Sequence, residues 1–311
     1  MNFSDYLKTC REQSRLTQEQ LVEELYLFDD SVFRGLDTTT VSKWERMVTQ
    51  PKVPKQVRIL QYFQGRQKGK AFPCLDNCSI EENESALCKR GIENLIIGKR
   101  KELVLNFPSE MMTADNLTLT HLRNKEQQRQ KTLLEVANDM RNSYHPAFTH
   151  MQDMPIRSWA LYPGNLFLIS QYKDVITGFL FVLRLKKEIQ KKILHFEMQP
   201  NALTLEDFAS FDEPGNHLIL NFFALNPKSA VLLSIRYYAH LIANQDNIES
   251  IGAAVAKEEA KRILENMNLS LIDRYTKEDT EVTSYREILP NVIASENVVR
   301  MLFRKEACPE E

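Results

Sequence analysis

Apolar side chains near the start of the chain recur three or four residues apart, which is the spacing of short amphipathic helices. The predicted core-facing positions of four successive helices are Phe3, Tyr6, Leu7 and Cys10, then Leu21, Val22, Leu25 and Phe28, then Val41 and Trp44, then Val57, Ile59, Leu60 and Phe63. Thr17 with Gln20 forms a capping box at the start of the second helix, and Asp37 or Thr38 is the expected cap of the third. The pattern predicts an all-α domain of four or five short helices over residues 1–70, followed by a connecting segment over 71–114.

After residue 115 the pattern changes to short apolar strands that alternate with amphipathic helices. Strands are predicted at 117–122, 166–171, 177–185, 217–224, 250–255 and 269–273, and helices at 126–143, 229–244 and 257–267. Residues 191–198 fit a strand, although their Lys and Glu side chains also fit a helix. This order predicts an α/β domain with a mixed sheet over 115–275. The apolar segment over 276–311 is then expected to pack on this body or at a dimer interface.

The composition of the 311-residue chain excludes several classes of protein. With 43% apolar and 26% charged residues, the chain is neither disordered nor low in complexity. The net charge is −2, but residues 1–70 carry +3 and the remainder −5, so the head is the part to examine for contact with phosphate. The first residues lack the apolar core of a signal peptide, and no apolar run reaches the roughly 18 residues of a membrane span. We therefore expect a cytoplasmic protein.

The five cysteines suit a reducing compartment, because their number is odd and no export signal is present. Cys74, Cys78 and Cys88 include a Cys-x-x-x-Cys spacing that occurs in zinc sites. A structural zinc ion needs four ligands, usually in two close pairs, and no fourth ligand is in register. The sequence therefore predicts no metal site and ordinary reduced thiols, with a redox switch between Cys74 and Cys78 as an alternative.

Two short motifs of the head match a known pattern. Leu16-Thr-Gln-Glu-Gln-Leu21 and Thr40-Val-Ser-Lys-Trp-Glu-Arg46, followed by Pro51, resemble the helix-turn-helix of the phage-repressor (XRE) family over residues 3–63. The chain departs from that pattern in two places. The segment between Gln18 and Trp44 is longer than the usual tight turn of the family, and Met47 stands where the family usually has Gly.

The resemblance implies residues that bind DNA. The implied DNA-binding residues are Gln18, Thr38, Thr39, Thr40, Ser42, Lys43, Arg46 and, from the longer loop, Arg34. Gln18 would bond a phosphate, Thr38, Thr39 and Lys43 would face base edges in the major groove, and Thr40 and Ser42 would lie nearer the backbone. Arg11 and Glu45 would form a structural ion pair between the first and third helices. Such heads bind double-stranded operators as homodimers. The alternative is a helical bundle that only contacts other proteins.

The α/β segment resembles a second family by the order of its elements. The order β-α-β-β-β-α-β-α-β, with the strand–helix–strand over 251–272, resembles the GNAT acyltransferase fold. That family carries a Gln/Arg-x-x-Gly-x-Gly/Ala loop after its fourth strand, whose amides hold the pyrophosphate of coenzyme A. The matching stretch Leu225–Val231 has no Gly, and Pro227 removes one amide donor. Asn226, Lys228 and Ser229 remain as a candidate ligand loop, and no cofactor is expected, acetyl-coenzyme A being disfavoured.

These observations favour a cytoplasmic, sequence-specific DNA-binding transcriptional regulator. Its degenerate GNAT-like domain would dimerise or sense a small-molecule or protein effector, and no catalytic residues are assigned. Two alternatives remain open. One is a GNAT-type acyltransferase that carries a helix-turn-helix head, for which Tyr237, Tyr238 and Tyr275 are candidate general acids. The other is an antitoxin-like module whose body binds a protein.

Overall fold

The structure, a computed structural model, describes residues 2–66, 72, 79–97, 117–122, 131–136, 156–173, 175–277 and 280–303. These residues form two compact units. The helical unit contains the helices up to Ile97, the segment Tyr238–Ala243 and the residues from Ile293 to Phe303. The sheet unit contains the described residues between these segments. Cys74 and Cys78 lie outside the described residues, while Cys88 is described and half-buried.

Short helices with clear caps build the N-terminal part of the helical unit. They are α1 (Phe3–Gln13), α2 (Gln18–Phe28), α3 (Asp30–Phe33), α4 (Thr38–Glu45), α5 (Val53–Arg66) and α6 (Ile80–Ile92), with a π-helical turn at Glu93–Ile97. The capping box predicted at Thr17 and Gln20 is confirmed. Asp37 caps α4, since its side chain accepts the N–H of Thr40 at 2.6 Å. The connection between α2 and α4 contains α3, because Asp29 caps that helix through the N–H of Val32.

A mixed sheet forms the core of the other unit. Its strands are β1 (Leu117–His121), β2 (Leu166–Tyr172), β3 (Val175–Leu185), β4 (Gly215–Ala224), β5 (Ile248–Val255), β6 (Ser270–Lys277) and β7 (Thr280–Ile288). The strand order is β1-β2-β3-β4-β5-β7-β6, and only the β4–β5 pair of this sheet is parallel. This is the mixed α/β architecture that the sequence predicts.

The remaining helices follow the strands or close the chain. They are α7 (Ile156–Leu161), α8 (Lys187–Leu194), α9 (Pro227–Ala243), α10 (Glu258–Asn266), α11 (Leu289–Ile293) and α12 (Glu296–Leu302). Helix α9 makes the crossover between the parallel strands β4 and β5, as a parallel pair requires. Of the helix predicted over 126–143, the described residues 131–136 are helical. Among the described residues no helix is both long enough and apolar enough to cross a membrane.

Two elements go beyond what the sequence pattern decides. Over 191–198, where strand and helix were both open, residues 191–194 are helical, because α8 places Ile193 and Leu194 in the core while the charged side chains Lys187 and Glu188 face solvent. Strand β7 was not predicted, and with it the sheet runs to Ile288 rather than ending near residue 275. Its alternation is short and interrupted by Thr283 and Ser284, which are buried polar residues.

The last helix packs in the helical unit. α12 contacts α5 and α6 there. Just after it, the ring of Phe303 meets Phe3 edge to face at 5.2 Å and tilts against Tyr6 at 5.4 Å. The apolar C-terminal segment therefore completes the core of the N-terminal helices, and a core of this kind is set by burial of aromatic surface.

Candidate functional site

The parallel strands β4 and β5 separate halfway along their length. They pair from Gly215 opposite Ile248 to Ile219 opposite Ala253, and β4 then continues to Ala224 while it remains paired with β3. Leu220 forms a bulge in β4 at this point, since Phe181 pairs with Asn221 and Val182 pairs with Ile219. The carboxyl half of β4 is thus a central strand whose β5 side carries no ladder bonds within the described sheet.

Burial follows the same division. The first four residues of β4, up to Leu218, are buried, whereas Ile219 to Phe223 are half-exposed. In β5 the last two residues, Ala254 and Val255, are half-exposed in the same way. Strand pairing changes here from antiparallel, between β3 and β4, to parallel, between β4 and β5. A crevice therefore opens at the carboxyl ends of the parallel strands. In open α/β sheets this is the place where ligands bind. We call this opening, between Leu220–Ala224 and Ala254–Val255, the β4–β5 crevice.

The crevice is mostly apolar, with one amide on one face. Leu220, Phe222 and Val255 provide its half-exposed apolar side chains. Asn221 is opposite Phe181 in the ladder and so lies on the sheet face that α8 covers, where Phe181 packs in one core cluster with Ile193. The structure gives the Asn221 side chain no hydrogen bond to a described residue, so its amide remains able to bind a ligand.

Helix α9 begins directly after β4, and its first turn has little capacity for an anion. Asn226 caps it, because its Oδ1 accepts the N–H of Ser229 at 2.9 Å. Pro227 has no N–H, and the N–H of Ala230 donates to the carbonyl of Asn226 at 3.2 Å. At most the N–H of Lys228 is left among the donors that a helix start normally offers. A bound anion at this helix start would have to compete with Asn226.

The hydroxyl of Ser229 is directed into the protein. It donates to Thr177 Oγ1 at 2.9 Å and lies 3.2 Å from Ser170 Oγ, and all three side chains are fully buried. This hydroxyl cluster fixes the start of α9 to strands β2 and β3. Of the predicted ligand loop, Asn226 and Ser229 are therefore engaged in holding the helix, and Lys228 is half-exposed. Ligand binding by this loop stays a prediction.

An acid–base pair lies on the α8 face of the same sheet. His195 Nδ1, just after α8, is 3.1 Å from Asp273 Oδ2 on β6. The hydrogen bond from His195, together with one from the N–H of Arg274, holds the pKa of Asp273 below its usual range. Tyr275 lies two residues further along β6 and stacks on Phe196 at 5.4 Å. Both members of the pair are partly exposed, so a ligand can reach the imidazole.

The pair is level with the mouth of the crevice. Asp273 pairs with Ser284, which pairs with Ala254, and Ala254 comes one residue after the last β4–β5 pair. Helix α8 lies very close to the sheet beneath this level, since a Cβ added at Gly252 would stand 2.5 Å from Leu194 Cδ1. The glycine is needed for that close approach. Sequence reasoning missed the pair, because 78 positions separate its members.

The tyrosines considered as general acids have different surroundings. Tyr237 is buried against His217, with 3.4 Å between its hydroxyl and the His217 Nδ1. Tyr238 is buried in the helical unit, and burial raises its pKa. Tyr275 alone of the three is well exposed, at 43%. Among the three, only this one is accessible to a substrate.

In the helical unit, the predicted DNA-binding residues divide into engaged and exposed side chains. Gln18 Nε2 donates to Glu45 Oε2 at 2.8 Å, so this amide is already bonded. The structure brings Arg11 and Glu45 together in a bidentate pair, at 2.6 and 3.0 Å. Arg46 bonds the Ser42 carbonyl, and Arg34 pairs with Asp30 at 3.4 Å.

The rest of the predicted set lies on α4. Thr38, Thr39 and Lys43 are exposed, and Thr40 and Ser42 are half-exposed. DNA contact by these residues, and a homodimer, stay predictions.

Comparisons with known proteins give structural matches only. No protein-family model matches the sequence. No curated protein matches it either. Among solved structures, FeeM, an N-acyl amino acid synthase from uncultured soil microbes, matches with 8% identity and a TM-score of 0.39 over 58% of this chain and 93% of its own. MesI, a CoA-dependent acyl-homoserine lactone synthase, has 16% identity, a TM-score of 0.37 and coverages of 62% and 97%. Naa50 of Arabidopsis thaliana, solved with the bisubstrate analogue CoA-Ac-MVNAL, has 13% identity, a TM-score of 0.35 and coverages of 55% and 98%.

The sheet unit has the mixed sheet with helices that the order of its elements predicts. The XRE resemblance of the head finds no support among the matches. The prediction of a DNA-binding transcriptional regulator is wrong, since the solved structures that match are an N-acyl amino acid synthase, a CoA-dependent acyl-homoserine lactone synthase and a protein bound to a CoA bisubstrate analogue.

Proposed function

We propose that the sheet unit transfers an acyl group from a thioester to the nucleophilic nitrogen or oxygen of an acceptor. The observation that carries the proposal is the β4–β5 crevice, which opens level with the His195–Asp273 pair on the face that also presents Asn221. A crevice at the carboxyl ends of parallel strands is a ligand site, and an imidazole held by a carboxylate is the commonest general base.

The crevice suits an extended apolar chain that carries amide groups. The main chain of β4 after Ile219 has no ladder partner on the β5 side of the described sheet, so it can hydrogen-bond amides of a ligand as an added strand would. Leu220, Phe222 and Val255 supply apolar surface for an acyl chain. Removing such surface from water stabilises a complex by roughly 25 cal/mol per Å².

The chemistry needs one proton transfer and one bond exchange. The lone pair of the acceptor attacks the thioester carbonyl carbon and forms the new C–N or C–O bond. The C–S bond then breaks, and its electrons leave with the thiolate. His195 takes the proton of the acceptor and returns it to the thiolate, so that the products are the acylated acceptor and a free thiol. Asp273 orients the imidazole through Nδ1, and Asn221 can donate to the oxyanion.

Thiol release tests this function. Purified protein is incubated with octanoyl-coenzyme A or octanoyl-pantetheine and a mixture of amino acids and small amines, and free thiol and acylated products are measured. We expect thiol release in step with product, and a loss of about 100-fold or more in His195→Ala. Asp273→Asn is expected to lower kcat with KM unchanged, because it acts through His195.

A matched control lies on the same helix. Lys191→Ala removes a partly exposed side chain of α8 whose Nζ pairs with Glu188 at 3.1 Å, and it should leave the rate unchanged. Thiol release at the rate of the protein-free blank with both donors would overturn the proposal. A rate in His195→Ala equal to that of the unmodified protein would remove His195 from it.

A further inference from the structure

The two helix starts beside the crevice, those of α9 and α10, offer little to the diphosphate of coenzyme A. What we infer from this rests on the proposed acyl transfer. We infer that the acyl donor is recognised as an acyl-pantetheine thioester, with no binding contributed by the adenosine diphosphate of coenzyme A. The donor would then be a thioester that lacks that group, either a small pantetheine thioester or the phosphopantetheine arm of a carrier protein. The inference follows from the donors, the charges and the apolar surface at the mouth of the crevice.

Backbone donors are scarce at the first helix start. A diphosphate at a helix N-terminus is bound by several N–H groups that the helix itself leaves unpaired. In α9, Pro227 has no such group and the Ser229 N–H is bonded to Asn226. The Ser229 hydroxyl, a further donor in principle, is buried in the cluster with Thr177. One N–H, that of Lys228, is too few to replace the water shell of two phosphates.

The second helix start carries no excess of positive charge, since its N-cap Lys257 and Lys261 are matched by Glu258 and Glu259. Helix α10 follows β5 by two residues, and its first turn contains Glu258 and Glu259, both exposed. These carboxylates occupy the positions where a helix favours negative charge, and they repel a phosphate. The ammonium of Lys261 lies 2.7 Å from Glu258 and 3.3 Å from Glu281, so it is already paired.

The remainder of a coenzyme A thioester does fit. Pantetheine is uncharged and has two amides, which match the open main-chain edge of β4, and the acyl chain matches Leu220, Phe222 and Val255. The free energy of binding therefore comes from the acyl-pantetheine portion. Since the diphosphate meets at α9 only the donors of Lys228, too few to offset its loss of water, and at α10 two carboxylates, the adenosine diphosphate should add nothing to affinity.

Two unreactive thioethers test the inference. S-octyl coenzyme A and S-octyl pantetheine are titrated into the full chain by calorimetry at one ionic strength. We expect dissociation constants within about threefold of each other, because the adenosine diphosphate contributes no binding. A tenfold ratio would correspond to about 1.4 kcal/mol. Coenzyme A thioether that binds tenfold tighter or more would overturn the inference while the proposed function stands. Absence of binding by both thioethers would overturn the proposed function as well.

A variant designed to gain binding tests whether the start of α9 limits the affinity for coenzyme A. Asn226→Gly with Pro227→Gly frees the Ser229 N–H and adds another, and Gly is tolerated at a helix cap. This double variant should bind S-octyl coenzyme A about tenfold tighter and S-octyl pantetheine unchanged, with its helical circular dichroism retained. If its affinity for the coenzyme A thioether equals that of the unmodified protein, the helix start does not limit binding and the inference fails.

A third arm identifies the source of the thioester. A bacterial acyl carrier protein bearing the S-octyl phosphopantetheine arm is compared with S-octyl pantetheine under the same conditions. Tighter binding of the loaded carrier protein supports the inference and assigns the donor to a carrier. Equal or weaker binding supports it with a small thioester as the donor. The unloaded carrier protein is the control for contacts that do not involve the arm.

Discussion

Arg11 in the helical unit is half-buried and Arg184 in the sheet unit is buried, and the hydrogen-bond partners of the two guanidinium groups differ. Arg11 forms a two-point ion pair with Glu45 and also donates to the carbonyl of Leu16 at 2.9 Å. The bond to Glu45 raises the pKa of Arg11. Arg184 instead donates to carbonyl oxygens, at 2.6 Å to Glu213 and 2.9 Å to Asn247, and burial lowers its pKa.

The two units therefore fix their connecting segments in different ways. In the helical unit a carboxylate neutralises the cation and ties three helices together, since Gln18 bonds the same Glu45. In the sheet unit a cation without such a salt bridge collects main-chain carbonyls from the connections before β4 and before β5. A side chain at Gly215 would collide with it, because an added Cβ would lie 2.6 Å from Arg184 Cγ. The first arrangement can be dismantled in a matched charge pair, whereas in the second Arg184 bonds mainly to main-chain carbonyls, with the Asn247 Oδ1 at 3.0 Å as a neutral side-chain acceptor.

The largest effect is expected from Arg184→Ala. It removes the charged donor from the part-buried carbonyls of Glu213 and Asn247, and a hydrogen bond to a charged group contributes about 1.5–3 kcal/mol, so we expect the sheet unit to lose about 3–5 kcal/mol. Urea unfolding measures this by fluorescence. The chain has two tryptophans, and Trp44→Phe leaves Trp159 as the reporter of the sheet unit. Arg262→Ala, at an exposed position of α10, is the control and should change stability by less than about 0.5 kcal/mol. A loss below about 1 kcal/mol in Arg184→Ala would contradict the carbonyl-binding role.

A smaller loss, about 2–3 kcal/mol, is expected in the helical unit from Arg11→Ala. The change leaves Glu45 with Gln18 as its donor, in a position where its side chain is 5% exposed. Trp159→Phe leaves Trp44, on the same helix as Glu45, to report the unfolding.

The paired variant decides whether the charge pair is the cause. Arg11→Met combined with Glu45→Leu removes both charges, and it should be more stable than Arg11→Ala because no uncompensated charge stays buried. Additive losses in this cycle would show that the two side chains act independently.

The sequence predicts the helical unit better than the sheet unit for a physical reason. Caps such as Thr17 with Gln20 and Asp37 with Thr40 are decided within three residues, so their pattern is visible in the chain. Arg11 and Glu45, 34 positions apart, came from a family resemblance. In the sheet unit most strands were visible as apolar runs, but the pattern did not decide between strand and helix over 191–198, and β7 was missed.

The candidate site depended on long-range pairing and was beyond sequence reasoning. The sequence shows that the stretch between β4 and the body of α9 contains no glycine. In the structure the helix begins within that stretch, and its Ser229 N–H is already bonded to Asn226. The separation of β4 from β5 is a matter of register, and no local pattern near Leu220 or Ala254 encodes it. No local pattern encodes the contact between His195 and Asp273 either. His195 follows α8, Asp273 lies on β6 beside β7, and only the fold of the sheet unit brings them together.

The weakest effect concerns a third arginine, Arg58, and the carboxylate of Asp29 with which it pairs. Arg58 Nε donates to Asp29 Oδ2 at 2.6 Å, and Asp29 also accepts from the hydroxyl of Ser31 at 2.7 Å. These bonds, that of Ser31 first, hold the pKa of Asp29 below its usual value of about 3.9. Because the folded pKa is lower than the unfolded one, the stabilisation is complete above about pH 4 and is lost as the pH falls through the folded pKa.

Asp29→Asn isolates this charge, because asparagine still caps α3. The variant should be less stable than the unmodified chain at pH 6, and the difference should shrink as the pH falls to about 3, measured by urea unfolding with Trp44 as reporter. Asp30→Asn is the control, because that carboxylate is 61% exposed and pairs with the exposed Arg34 at 3.4 Å. A difference that is the same at both pH values would mean that the cap, and not the charge of Asp29, stabilises the turn into α3.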